Sequence, residues 1–203
     1  MIKYKNRSKN PKHPQQIIIM GPPCSGRTTL SRDLCAKYGF VHISTVEILR
    51  DFINKKGKLS SLVGDCIKKG DLSNLIIFIL LMFLTVPDEI IVTLLNERLM
   101  KKDCIIQGFV LDGFPKNLSQ IQSLEDLRVH PNFIFFLEGN EEVLMERLKD
   151  GKVESLVPRI VRWKEVLKIF ESTPKYSNLI FKINFLCESK NILEKVSFHL
   201  ENS

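Results

Sequence analysis

The residues of this chain best suited to chemistry form one run, Gly21-Pro-Pro-Cys-Ser-Gly-Arg-Thr-Thr29. Its spacing, G-x-x-x-x-G-[K/R]-T, is that of a loop that cradles phosphate. The glycines let the backbone curl so that successive N–H groups point at phosphate oxygens. A helix opening after the loop adds a partial positive charge at its N-terminus. Cys24, Ser25, Gly26, Arg27, Thr28 and Thr29 would then line the phosphates, with the Thr28 hydroxyl placed to ligate Mg²⁺. The usual lysine is Arg27, a wide planar fork in place of a compact point charge, which alters reach and fit at the β- and γ-phosphates. The ligand implied is a nucleoside triphosphate. A glycine-containing strand-to-helix turn that binds nothing is the plain alternative.

Such a loop works only between a strand and a helix, and the flanking residues provide both. Ile17, Ile18, Ile19 and Met20 form a short apolar run, as a strand buried on both faces requires. Leu30, Leu34 and Tyr38 recur at helical spacing, and Gly39 stands where a helix C-cap falls. Val41 to Ile43, Phe109 to Leu111, Phe133 to Leu137 and Leu179 to Ile183 read as four further strands, two of them closed by Asp112-Gly113 and Glu138-Gly139. Helical stretches are expected over 88–101, 141–149, 159–170 and 191–200. This alternation predicts an α/β fold with a parallel five-stranded sheet covered by helices on both faces, and a ligand at the carboxyl ends of the strands.

The 203 residues, 44% hydrophobic, suffice for one substantial core. The formal charge is +7, but Lys3, Lys5, Arg7, Lys9 and Lys12 supply five of those charges before Pro14. Residues 1–15 are therefore expected to be a disordered basic tail, and no nucleic-acid partner is implied. Five widely spaced cysteines without a C-x-x-C pair suggest a reduced, cytoplasmic setting and no zinc site.

Over residues 16–200 the chain resembles the adenylate kinase family of nucleoside monophosphate kinases. The loop is similar to that family's G-P-P-G-S-G-K-G-T. Tyr38-Gly-Phe-Val-His-Ile-Ser-Thr45, followed by Arg50, resembles its monophosphate-binding segment, with Val46 and Glu47 in place of Gly-Asp. Leu111-Asp-Gly-Phe-Pro-Lys116 resembles L-D-G-F-P-R, and Gln120 follows where the family reads adenine. The resemblance implies phosphoryl transfer from ATP to AMP with Mg²⁺, by a monomer acting on small nucleotides without a membrane partner. It assigns Thr45 and Gln120 to the purine, Arg50, Gly113 and Lys116 to the monophosphate, Asp112 to the hydrated Mg²⁺, and the Val86 backbone to the same pocket. Arg147 matches the arginine that stacks on the ATP base. It also implies a monophosphate lobe over about 44–100 and a short lid over about 148–160. The lid lacks the family's G-R-x-x-D-D, leaving Arg159 and Arg162 as candidate catalytic arginines or as solvated helix positions. Lys116 replaces a bidentate arginine by a point charge.

Residues 73–85, Ser-Asn-Leu-Ile-Ile-Phe-Ile-Leu-Leu-Met-Phe-Leu-Thr, fit neither the α/β rhythm nor the family. Without them the chain reads Gly70-Asp-Leu72 and then Val86-Pro-Asp-Glu, similar to the family's G-D-L-V-P-D-E. The stretch is too short to span a bilayer. Three readings stand: a translated in-frame intron, a buried helical extension, and a membrane-surface or partner-binding helix. Two functional readings also stand: an active nucleoside monophosphate kinase, for AMP or for another acceptor such as CMP or UMP, and a nucleotide-binding protein of the same fold with weak or no phosphotransfer.

Overall fold

The computed structural model describes residues 14–55, 86–147, 153–186 and 189–202. Elements run β1 (Gln15–Met20), α1 (Arg27–Tyr38), β2 (Val41–Ser44), α2 (Thr45–Lys55), α3 (Asp88–Leu99), α4 (Lys102–Gln107), β3 (Gly108–Asp112), α5 (Leu118–Asp126), β4 (Phe133–Glu138), α6 (Glu141–Arg147), α7 (Val153–Ser172), α8 (Pro174–Ser177), β5 (Ile180–Asn184) and α9 (Ser189–Glu201). The strands form one parallel sheet in the order β2-β3-β1-β4-β5.

The continuous apolar strands follow from burial on both sides. Ile18, Met20, Leu111, Ile134 and Phe136 pack into one cluster with Leu49, Leu95, Leu124 and Phe170. Their sequence neighbours Ile17, Ile19, Val110, Phe135 and Leu137 enter a second cluster with Leu30, Leu34, Leu193 and Val196. Side chains alternate across a strand, so the two clusters are the two faces of the sheet, each covered by helices.

After β1 the chain passes to β2, comes back to β3 beside β1, and then crosses to β4 on the other side. The loops leaving β1 and β3 therefore diverge and open a crevice at their carboxyl ends. Register sets Asp112 opposite Ile19 on one side and Ser44 on the other, so the last residue of β3 looks directly into that crevice.

Several expected boundaries shift. The stretch expected as one helix over 88–101 ends at Leu99, and Lys102–Gln107 forms a separate short helix. α5 was not anticipated, and Asn117 starts it by accepting a hydrogen bond from the Gln120 amide at 2.8 Å. α7 begins at Val153 and carries Pro158 inside it, so residues 153–160 of the segment read as a lid are helical. Gly39 caps α1 in the left-handed conformation, as expected. The basic tail up to residue 13, the apolar run 73–85 and residues 148–152 lie outside the described residues; Gln15, placed in the tail by sequence, opens β1.

Candidate active site

The phosphate loop turns where only glycine fits. Gly21 has φ 155°, and a Cβ there would stand 2.8 Å from Leu137 Cβ, so a side chain would push the loop off β4. Gly26 has φ 91° and leads directly into α1. Cys24 adopts φ 66° and is exposed, and its carbonyl accepts from Arg147 Nη1 at 3.4 Å. The neighbouring Ser25 hydroxyl is buried with no hydrogen-bond partner.

The crevice is a cavity of about 810 Å³. Its walls include Gly21, Arg27 and Thr28 from the loop and α1, Val46, Glu47 and Arg50 from α2, and Val86, Pro87 and Asp88 at the start of α3. Asp112, Gly113, Lys116 and Gln120 come from β3 and α5, and Arg159, Arg162 and Trp163 from α7. Most of the site residues expected from sequence are thus brought to one space from five segments of the chain.

Ser25, Gly26, Thr29 and Arg147 instead line a separate cleft of about 240 Å³ on the other side of the loop. There the Arg147 guanidinium lies 5.5 Å from the centroid of the Phe185 ring. Thr45 lies in neither wall. It is buried, and its hydroxyl donates to the Gly113 carbonyl at 3.1 Å, tying α2 to the turn after β3. Arg50 and Arg162 are exposed at the rim, and Arg159 is half-buried.

Asp112 is the electrostatic centre. Thr28 Oγ1 donates to its Oδ2 at 2.7 Å, His42 Nε2 stands 3.6 Å from the same oxygen, and Arg27 Nε is 3.7 Å from Oδ1. Burial alone would raise the carboxyl pKa. His42, Arg27 and Thr28 outweigh it, and the pKa falls below the ordinary aspartate value. Folding therefore gains stability from this carboxylate above the ordinary aspartate range, and loses it as pH falls through the lowered folded value.

Lys116 shows the converse. Burial of its amine lowers its pKa well below the ordinary lysine value, Arg27 and Arg159 add to the lowering, Asp112 opposes it, and Arg162 lowers it further. Burial and Arg27 also lower Arg159. Cations crowded in this way are stabilised by an incoming polyanion, the expected signature of a phosphate site.

The donor set suits magnesium. Asp112 Oδ1 is buried without a hydrogen-bond partner, and Thr28 places a hydroxyl beside Oδ2. Two hard oxygen ligands match an ion that keeps most of its shell as water and phosphate oxygens. Among the described residues no group of three or more His, Cys, Asp or Glu could hold a metal by itself.

Some members of the site carried no role by sequence reasoning. His42 sits between Asp112 and Glu47, whose carboxylate is 4.0 Å from Nδ1 and also pairs with Arg32 at 2.9 Å. Alternation along β2, which puts His42 and Ser44 on one face, was the signal available. Glu47 sits in the first turn of α2, with its N–H donating to Ser44 Oγ at 3.5 Å. Asp88 holds Gln120 across 32 positions, and nothing in its local sequence announces this.

A parallel sheet whose first strand opens through a glycine loop into a helix, with a carboxylate at the end of a neighbouring strand, defines a P-loop nucleotide-binding fold. The family model for adenylate kinase matches residues 19–172, more than half of the chain. The chain is 30% identical over 179 residues to the adenylate kinase of Prochlorococcus marinus, covering 84% of this chain and 90% of that protein. It is 32% identical over 151 residues to a probable chloroplastic adenylate kinase 2 of rice, and 33% over 141 residues to the adenylate kinase of Kosmotoga olearia. These two alignments cover 74% and 68% of this chain, but only 48% and 59% of the relatives' length. This chain belongs to the adenylate kinase family. No described helix is long and apolar enough to cross a membrane.

Proposed function

We propose that this protein is a magnesium-dependent phosphotransferase that moves the γ-phosphoryl group of ATP to a nucleoside monophosphate, with AMP as the acceptor. The observation that carries this reading is the convergence of Arg27, Lys116, Arg159 and Arg162 on one cavity beside the Thr28–Asp112 pair and the N-terminus of α1. The loop amides and the helix terminus hold the triphosphate. Thr28 and Asp112 would hold Mg²⁺, which would neutralise charge on the nucleotide phosphates. Arg50 and Lys116 hold the acceptor phosphate, whose oxygen attacks the γ-phosphorus as the bond to the ADP oxygen breaks. Arg159 and Arg162 offset charge on the group in transit. Gln120 faces the acceptor base, and Thr45 fixes the Gly113 turn against which that nucleotide lies. Arg147, in the separate cleft, meets the ATP base. Every one of these groups comes from a single chain, so the scheme requires no residue of a second subunit.

One observation favours a second reading, nucleotide binding without transfer. Arg27 lies against Asp112, the carboxylate that this scheme gives to magnesium. A coupled assay of ADP formation from ATP and AMP, with and without Mg²⁺, separates the two. Magnesium-dependent ADP formation is expected. Thermal stabilisation by nucleotides with no turnover would overturn the enzyme reading in favour of the binding one.

A further inference from the structure

A glutamine amide offers a base one donor and one acceptor, but it can turn over and exchange them, so it does not by itself tell adenine from a 6-oxopurine. At Gln120 the exchange is blocked. Its Nε2 donates to Asp88 Oδ1 at 2.6 Å, and its Oε1 accepts from the Lys116 backbone N–H at 2.8 Å. Ionised aspartate can only accept and a backbone N–H can only donate, so each partner dictates which end of the amide faces it. The aspartate is itself fixed, because its second oxygen accepts from Asn117 Nδ2 at 3.0 Å. Gln120 is buried, and Asp88, Lys116, Asn117 and Gln120 share one wall of the cavity.

We infer that Asp88 is a specificity-determining residue that locks the Gln120 amide in the orientation accepting adenine and rejecting 6-oxopurines. The inference rests on the proposed reading in which Gln120 faces the acceptor base. With one N–H and one lone pair taken, the amide keeps one of each in fixed order. Adenine presents an acceptor at N1 and a donor at N6, whereas hypoxanthine and guanine present a donor at N1 and an acceptor at O6. The two edges are inverted. To serve a 6-oxopurine the amide must turn over, which sets NH₂ against the Lys116 N–H and a carbonyl oxygen against the Asp88 carboxylate. Left unturned, it pairs like with like against the base. Rejection therefore comes from unmatched polar groups, which discriminate more strongly than missing contacts do.

The test compares Kd for AMP and for inosine monophosphate by calorimetry. This pair differs only at positions 1 and 6 of the base, so no extra amino group confuses the result. Asp88→Asn can donate as well as accept and removes one of the two constraints. The wild-type preference for AMP is expected to fall by about 10-fold, since one buried mismatch is relieved. A merely loosened site would weaken both nucleotides and leave their ratio unchanged. If the wild type prefers AMP and the variant keeps the full ratio, Asp88 does not lock the amide. If the wild type binds both nucleotides equally, the base reading of Gln120 fails, and this inference fails with it. Stabilisation of the variant by ATP checks its fold. Should Asp88→Asn not fold, Asp88→Ser, whose hydroxyl also donates or accepts, carries the same comparison.

Discussion

Arg27 and Lys116 each exchange one kind of cation for another, with opposite consequences. At position 27 the guanidinium reaches sideways to Asp112 at 3.7 Å. A lysine has no fork to lay along the carboxylate and would extend toward the phosphates. Arg27→Lys should therefore raise the rate of ADP formation, by about 10-fold if one charge at the transferring phosphate is restored. An unchanged rate in the coupled assay would show that this position does not limit turnover. At position 116 the crowded amine has a pKa well below the ordinary lysine value. Between that lowered value and the ordinary one, the unfolded chain holds more protons than the folded chain, so the stability of the free protein rises with pH across this window. Phosphate reverses the balance by favouring the charged amine. Within that window AMP binding should take up a proton, seen as binding heats that differ between buffers of unlike ionisation enthalpy. Lys116→Arg should remove the difference, because arginine does not titrate there. Equal heats in the unaltered protein would exclude a neutral Lys116.

Among the elements, α1 carries the phosphate loop, and its far end is fastened to α9. Tyr38 Oη donates to Glu201 Oε1 at 2.5 Å, and Lys37 Nζ donates to Ser197 Oγ at 2.7 Å and to the same glutamate at 3.3 Å. Tyr38→Phe keeps the ring against Phe40, 5.7 Å away between centroids, and removes only the hydroxyl. The expected cost is about 1 kcal/mol, or a fall in Tm of about 2–4 °C for a chain of this size. A scanning melt checks this, and an unchanged Tm would mean that the tyrosine hydroxyl adds nothing to the apolar packing and the lysine bonds between the two helices. α1, β2 and β3 were legible because each has a signal in its own residues: helical spacing and a capping glycine, or an apolar run closed by a polar turn. α5 was missed because its start signal, Asn117 accepting from the Gln120 amide, lies within a motif that already had a functional reading. The break at Met100 was missed because residues 88–101 keep an apolar rhythm across it.

On the scale of the molecule, the open matter is residues 73–85, which lie between two halves of a segment that is otherwise similar to a continuous family motif. They are strongly apolar and precede Val86 in the sequence, and Val86 itself is a residue of the cavity wall. Deleting them should improve soluble yield, because an apolar run of this kind promotes aggregation wherever it meets solvent. It should also tighten monophosphate binding by restoring the direct connection of Leu72 to Val86. Unchanged yield and affinity would mark the stretch as an accommodated part of the fold. Sequencing the mature transcript decides whether the stretch is translated intron.

The sequence by itself determined what depends on neighbours along the chain: the strands, the glycine loop, and the Asp112-Gly113 and Phe114-Pro115-Lys116 turn that ends β3. Their chemistry is local, so a window of ten residues contains it. Only the tertiary structure decided what depends on register and crossover. It set Asp112 between Thr28, His42 and Arg27, crowded Lys116 among Arg27, Arg159 and Arg162, and sent Arg147 to a different cleft from Arg159. It also brought Asp88 to Gln120 across 32 positions. Such contacts have no signature in sequence spacing, because the parallel sheet makes neighbours of residues whose separation along the chain is set by the intervening helices.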